Sequence, residues 1–339
     1  MRGLLGFRPD GFTMALVGTV ILATFLPCHG ASARVFNVLA VIAIAALFFL
    51  QGARLSRQAV ISGATAWRLH LLIMASTFVL FPIIGLVLRA LVPGVLTPPL
   101  WLGVLFVCAL PSTVQSSIAF TSIGMGNVPA AICAATASNL LGILITPVLV
   151  GLLLSLHGSG ISLTEIWKIV LQLLVPFAAG QLLRPLIGEW AQRNRRILAM
   201  TDRSSILLVV YTAFSEAVVQ GIWHQLPPTR FAVLIIINAV ILGLVLLATT
   251  HGSRALGFSR RDEVAIVFCG SKKTLASGVP MANVLFAGPT VGMTVLPLMI
   301  FHQMQLMVCA WLARRYAARA EAARQSALSA VPSESPAPG

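Results

Sequence analysis

The chain has 339 residues, of which 58% are hydrophobic and 9% charged, with a formal net charge of +14. A soluble domain carries about a quarter charged residues, so this composition excludes a soluble enzyme or regulator and points to an all-α polytopic membrane protein. The basic excess does not signal nucleic acid, because the arginines lie in short clusters between apolar runs, where topology signals lie.

Ten apolar spans are expected, at residues 12–29, 33–53, 66–92, 99–124, 127–154, 164–187, 201–222, 228–252, 262–286 and 289–316. Each is read as a helix, since lipid leaves a spanning backbone few other ways to pair its polar groups. Arg2 and Arg8, the first apolar run and Ala31-Ser32-Ala33 also fit a cleaved signal peptide. A retained helix is the better reading, because cleavage would leave nine spans. Seventeen arginines fall in the termini and loops on one side and four cationic residues (Arg34, Arg89, Lys168 and Arg230) on the other. That asymmetry puts both termini in the cytoplasm of a bacterial inner-membrane protein. The tail 317–339, rich in Ala, Ser and Pro, reads as a disordered cytoplasmic extension.

Ten spans divide into two five-helix units, 1–154 and 155–316, which must insert in opposite orientations, as inverted repeats do. Corresponding spans four and nine are both interrupted. Span four carries Pro111-Ser112-Thr113-Val114-Gln115-Ser116-Ser117, and span nine carries Gly270-Ser271-Lys272-Lys273-Thr274 with Ser277 and Gly278. Lys272 lies ten residues beyond Asp262, about 15 Å along a helix, half of a hydrocarbon core about 30 Å thick. Two of the chain's three lysines thus fall at the bilayer midplane, where a charge costs about 2.5–3.5 kcal/mol and faces a protein-lined site. Each lysine is read either as a structural tether for unwound carbonyls or as an anion-binding or coupling group.

The expected ion- and substrate-binding set is Ser112, Thr113, Gln115, Ser116 and Ser117 on span four, Thr136, Ser138 and Asn139 on span five, and Ser271, Lys272, Lys273, Thr274 and Ser277 on span nine. The candidate proton carriers are Lys272, Lys273, Glu216 and His302. His302 and Gln305 also suit helix–helix hydrogen bonding. The five cysteines lack metal-ligand spacing and read as buried apolar thiols, Cys28 alone lying near a surface. No catalytic residues and no metal site are expected. No Walker motif is present, which argues against ATP-driven transport within the chain.

At these residues the chain resembles the bile acid:sodium symporter family, solute carrier family 10. The resemblance is carried by PSTVQSSIAFTSIGMGN, by FCGSKKTLASGVPM, and by Thr146-Pro147 closing span five, and it covers residues 5–316. It is nearest to the branch of bacterial symporters and the vertebrate seventh member. It implies a six-helix core domain and a four-helix panel domain, with broken helices four and nine crossing at the midplane. It also implies a small organic anion carried through the lipid bilayer by alternating access, with sodium held by polar groups on helices four, five and nine. The chain departs from that sodium pattern. Phe268 stands where the helix-nine acid is expected, lysines follow it, and Ala131 and Ala135 replace hydroxyl ligands. The implied function is a symporter-like carrier coupled to sodium, to protons or to no cation, an ammonium standing in the cation's place. The alternative is a non-transporting membrane regulator affecting calcium homeostasis.

Overall fold

The computed structural model describes residues 11–54, 66–155, 163–219, 221, 226–286 and 290–329. Their helices run in the order α1 Gly11–Phe25, α2 Ala31–Arg54, α3 Trp67–Leu91, α4 Pro98–Ala109, α5 Gln115–Ile123, α6 Val128–Ser155, α7 Leu163–Leu182, α8 Arg184–Arg193, α9 Arg195–Val219, α10 Pro228–Ala255, α11 Arg260–Gly270, α12 Leu275–Leu285 and α13 Thr290–Ser329. Among the described residues, six helices are long and apolar enough to cross a bilayer: α2, α3, α6, α9, α10 and α13. The bent pair α7–α8 gives a seventh. The chain is a polytopic membrane protein.

Three expected elements differ in shape. The sixth span, expected through 187, ends at Leu182, and the chain turns by 85° into α8. Pro185, in the first turn of α8, has no N–H to donate and so ends α7 where apolar residues alone would have continued it. Span three holds a π-turn over Ser76–Leu80. The tail after 316 is helical over its described part, since α13 runs on to Ser329. Its Ala-rich sequence, the best helix former available, propagates the helix already nucleated in the membrane. Residues 330–339 lie outside the described set, as do Gly288 and Pro289 between the last two expected spans. Cys28 is buried with the other four cysteines.

One group of helices, α1, α2, α7 and α9, packs through α2 against α7 and through α1 against α9. The α2–α7 contact is a backbone contact. A Cβ on Gly52 would overlap the Phe177 carbonyl, and one on Gly180 the Phe49 carbonyl. Small residues drive helix pairing in lipid because van der Waals contact, not water exclusion, holds the pair. α8 packs on α2, and the remaining helices cluster around the breaks. α4 lies along α13, and α11 lies against α10, α5, α3 and α6. The alanine face of α6 (Ala130, Ala131, Ala134, Ala135) packs on Ala265, Ile266 and Cys269 of α11.

Candidate functional site

Spans four and nine break because of what interrupts them. Pro111 denies a donor to α4, and its ring is received by Gly142 of α6, where a Cβ would lie 2.6 Å from the proline Cγ. Residues 111–113 and 272–274 are non-helical, and α5 and α12 restart beyond them. Each break frees the last carbonyls of one half-helix and the first N–H groups of the next. In lipid both sets need partners.

The carbonyls find them within the protein. At the end of α11, Val267 O accepts from Ser271 Oγ at 2.6 Å, Phe268 O from Ser117 Oγ at 2.9 Å, Cys269 O from Ser112 Oγ at 2.6 Å and Gly270 O from Ser76 Oγ at 2.9 Å. At the end of α4, Ala109 O accepts from Thr146 Oγ1 at 2.9 Å, Pro111 O from the Thr274 N–H at 3.0 Å and Ser112 O from Asn139 Nδ2 at 2.5 Å. The Ser112 N–H donates to Ser138 Oγ at 3.0 Å. The two breaks therefore bond directly to each other.

Lys273 completes this pairing. Its ammonium donates to Thr77 O at 2.7 Å, Cys108 O at 2.9 Å and Leu110 O at 2.7 Å, and stands 4.0 Å from the centre of the Phe81 ring. Three carbonyls use the three N–H groups of an ammonium. Thr77 O is available for a local reason. The π-turn moves the Phe81 N–H onto Ser76 O, so the next donor in that i+5 register would be Pro82, which has none. The other two carbonyls belong to the negative end of the α4 half-helix. The Lys273 backbone is clamped as well, its N–H donating to Gln305 Oε1 at 2.7 Å and its carbonyl accepting from Gln305 Nε2 at 2.8 Å.

Lys272 is held differently. Its ammonium donates to Ser116 O at 2.8 Å and stands 3.9 Å from the centre of the Phe120 ring and 5.5 Å from that of Phe268. Phe268, at the expected acid's position, packs with Phe120 and Tyr316 and offers the ammonium a ring face, an attraction that strengthens when water is excluded. Both lysines are fully buried.

The N–H ends of α5 and α12 meet an open space. No side chain caps either helix, at Val114 or at Thr274. Both border a cavity of about 490 Å³. The lining includes Thr113, Gln115 and Ser116 from the first break, Thr136 and Asn139 from α6, Thr274, Leu275 and Ala276 from the second break, and His302 from α13. Of the expected site residues, Ser112, Ser117, Ser138, Ser271, Lys272, Lys273 and Ser277 are absent from that lining and form the bonded layer behind it. Glu216, on α9, is not part of the lining either.

The opposite wall was not foreseen from the sequence. It consists of Phe12, Gln51, Arg54, Phe177, Asp202, Arg203 and Ile206. Arg54 and Asp202 form an ion pair at 2.5 Å, and Arg203 lies over the Phe12 ring at 5.7 Å. These residues come from α1, α2, α7 and α9, so the cavity separates the two helix groups. Arg54 and Arg203 belong to the arginine-rich side, so the cavity extends from the breaks toward that face. Ser76, Thr77 and Phe120 were likewise missed. The polar pair Ser76-Thr77 within an apolar span, five residues before Pro82, was the available signal for the first two.

The model of the SBF-like CPA transporter family matches residues 10–318. The chain is 60% identical over 328 residues to an uncharacterized protein of Pseudomonas aeruginosa, covering 96% of this chain and 98% of that one. It is 54% identical over 312 residues to "Putative symporter YfeH" of Escherichia coli K12, covering 92% and 94%. It is 30% identical over 315 residues to sodium/bile acid cotransporter 7 of Rattus norvegicus, covering 91% and 92%.

Proposed function

Because the chain belongs to the SBF-like CPA transporter family, we propose that it is a secondary active transporter that moves a small organic anion by alternating access. The observation that carries this reading is the cavity bordered by two uncapped half-helix N-termini. Such ends carry about half a positive charge each and are ready-made sites for an anionic group. The apolar lining beside them, Phe12, Leu140, Ile143, Phe177 and Leu306, suits the organic part of the ligand. The names of the relatives, a symporter and a sodium/bile acid cotransporter, agree with this class.

In this reading the seven long spans, α1, and the broken pairs α4–α5 and α11–α12 make ten spans in two inverted repeats, 1–154 and 155–316. Helices α1, α2, α7, α8 and α9 form the panel and the rest the core. The panel rocks against the core, and the cavity, reaching Arg54 and Arg203, represents the state open to the cytoplasm. Both termini are cytoplasmic, a reading the arginine asymmetry supports, and the membrane is the bacterial inner membrane, in keeping with the Pseudomonas and Escherichia relatives.

Sodium is the coupling ion that the geometry disfavours. The Lys273 ammonium is a resident cation among three carbonyls, Phe268 replaces the acid, and Ala131 and Ala135 are spent on packing. Lys272, with one carbonyl and two ring faces, is the better candidate to exchange a proton. The test is uptake of a panel of organic anions into proteoliposomes under imposed gradients. The reading expects flux indifferent to sodium. A proton-gradient dependence abolished by Lys272→Gln would assign coupling to Lys272, and indifference to both gradients would overturn active transport and leave a uniporter. Sodium-driven uptake would overturn the coupling scheme, and absence of flux with folded protein would overturn transport.

A further inference from the structure

A second cavity, of about 310 Å³, lies on the arginine-rich side and touches none of the residues that line the first. Three helices build it: α10 and the turn after it contribute Arg254 and Phe258, α11 contributes Arg260 and Glu263, and α13 contributes Tyr316 and Arg319. Glu263 is the acid in its wall, and it is saturated. Arg254 donates to it from Nε at 3.0 Å and from Nη2 at 2.8 Å, and the Tyr316 hydroxyl donates to it at 2.7 Å. Arg260 donates to the carbonyls of Tyr316 at 3.1 Å and Arg319 at 3.3 Å. The Arg319 guanidinium has no hydrogen-bond or ion-pair partner among the described residues. Three guanidiniums and one carboxylate leave the cavity wall two charges positive.

The surroundings strengthen that charge. Arg68 lies over the Phe258 ring at 5.5 Å, and Arg261 and Arg315 are exposed nearby in sequence. The neighbouring acid Asp262 is held by Ser259 and Asn127 at 2.7 Å each. Depth is marked by Trp311, 54% exposed on α13, with Arg315 over its ring at 4.1 Å. Exposed tryptophans on membrane helices sit at headgroup level. Tyr316 and Arg319 follow one and two turns later, so the cavity opens at or just beyond the headgroups. Arginine forks match phosphate oxygens in geometry as well as charge, and basic pockets between membrane helices take anionic headgroups.

We propose that this cavity binds the phosphate group of an anionic phospholipid, with Arg319 as its principal ligand beside Arg254 and Arg260. The bound headgroup ties α11, the first half of a broken helix, to α10 and α13, and so braces the core where it bears the break. The inference does not depend on what occupies the larger cavity.

The test is thermal unfolding of the full chain in mixed micelles containing phosphatidylglycerol or phosphatidylcholine, and separately with inorganic phosphate. Phosphatidylglycerol should raise the melting temperature of the wild type above the phosphatidylcholine value. Arg319→Gln should lose at least half of that rise while melting like the wild type in phosphatidylcholine. Arg89→Gln, on the arginine-poor side, should keep the full rise, and inorganic phosphate should give none. No phosphatidylglycerol-specific rise, or the same rise in Arg319→Gln, would overturn the site. Equal losses in Arg319→Gln and Arg89→Gln would reduce it to general charge attraction. A full rise with inorganic phosphate alone would replace the lipid by a soluble phosphate ligand.

Discussion

Replacing Lys273 by methionine separates the two buried lysines by their mechanics. Methionine keeps an unbranched chain and removes the ammonium, so Thr77 O, Cys108 O and Leu110 O lose their donor together. A buried polar group left unpaired costs about 1–3 kcal/mol. Against that, the variant no longer buries an ammonium, worth about 2.5–3.5 kcal/mol at the centre of a membrane helix. Three orphaned carbonyls at mid-range and about 1 kcal/mol for the Phe81 ring contact, less that saving, give a net loss of about 4 kcal/mol. The same substitution at Lys272 removes one hydrogen bond to Ser116 O, which lies inside α5 and keeps the helix's own donor, and two ring contacts. Taking about 1.5 kcal/mol for that charged bond and about 2 for the desolvated ring contacts, less the same saving, leaves a loss of about 0.5 kcal/mol. Thermal unfolding in detergent, followed by a maleimide dye that reacts as the five buried cysteines become exposed, reads both variants on one scale. Lys273→Met should melt well below Lys272→Met, and Lys272→Met close to wild type. If Lys273→Met melts at or above wild type, or if Lys272→Met is the worse of the two, the carbonyl cage is not what holds the breaks.

Two further substitutions test the packing around the site. Gly180→Ala puts a methyl group into the Phe49 carbonyl, so α2 and α7 must separate at a cost of about 1–3 kcal/mol, seen as a lower melting temperature. Met125, in the turn between α5 and α6, has φ 58°, a left-handed conformation that costs a side-chain-bearing residue about 1–2 kcal/mol. Met125→Gly should therefore raise the melting temperature, and a fall would show that the methionine side chain contributes more than the strain costs.

The breaks were legible because polar residues and a proline interrupt apolar runs that would otherwise span. The same logic marked both lysines as part of the second break, but position along a span does not say which way a side chain points. Their inward turn depends on carbonyls of α3 and α4 freed by Pro82, Pro111 and the end of α4, and on Ser116 O of α5, which no spacing within span nine encodes. The panel-side wall was invisible for a related reason. Phe12, Gln51, Phe177 and Asp202 lie on four separate helices and form no motif until those helices pack. Asp202 and Arg203 read in sequence as loop-edge charges. Local chemistry was under-read at Pro185, where hydropathy ran across a break, and in the Ala-rich tail, where low complexity outweighed helix propensity.

The central claim is that the N-terminal ends of α5 and α12 face a cavity that opens alternately to the two sides of the membrane. Gln115 and Ala276, exposed in the first turns of those helices, can each be replaced by cysteine in a protein whose own thiols are buried. Reaction with a membrane-impermeant thiol reagent is then measured in right-side-out and inside-out vesicles. The account predicts labelling of both positions from both faces, with Lys273→Cys unlabelled from either. Labelling from one face alone, or from neither, would contradict alternating access at this site.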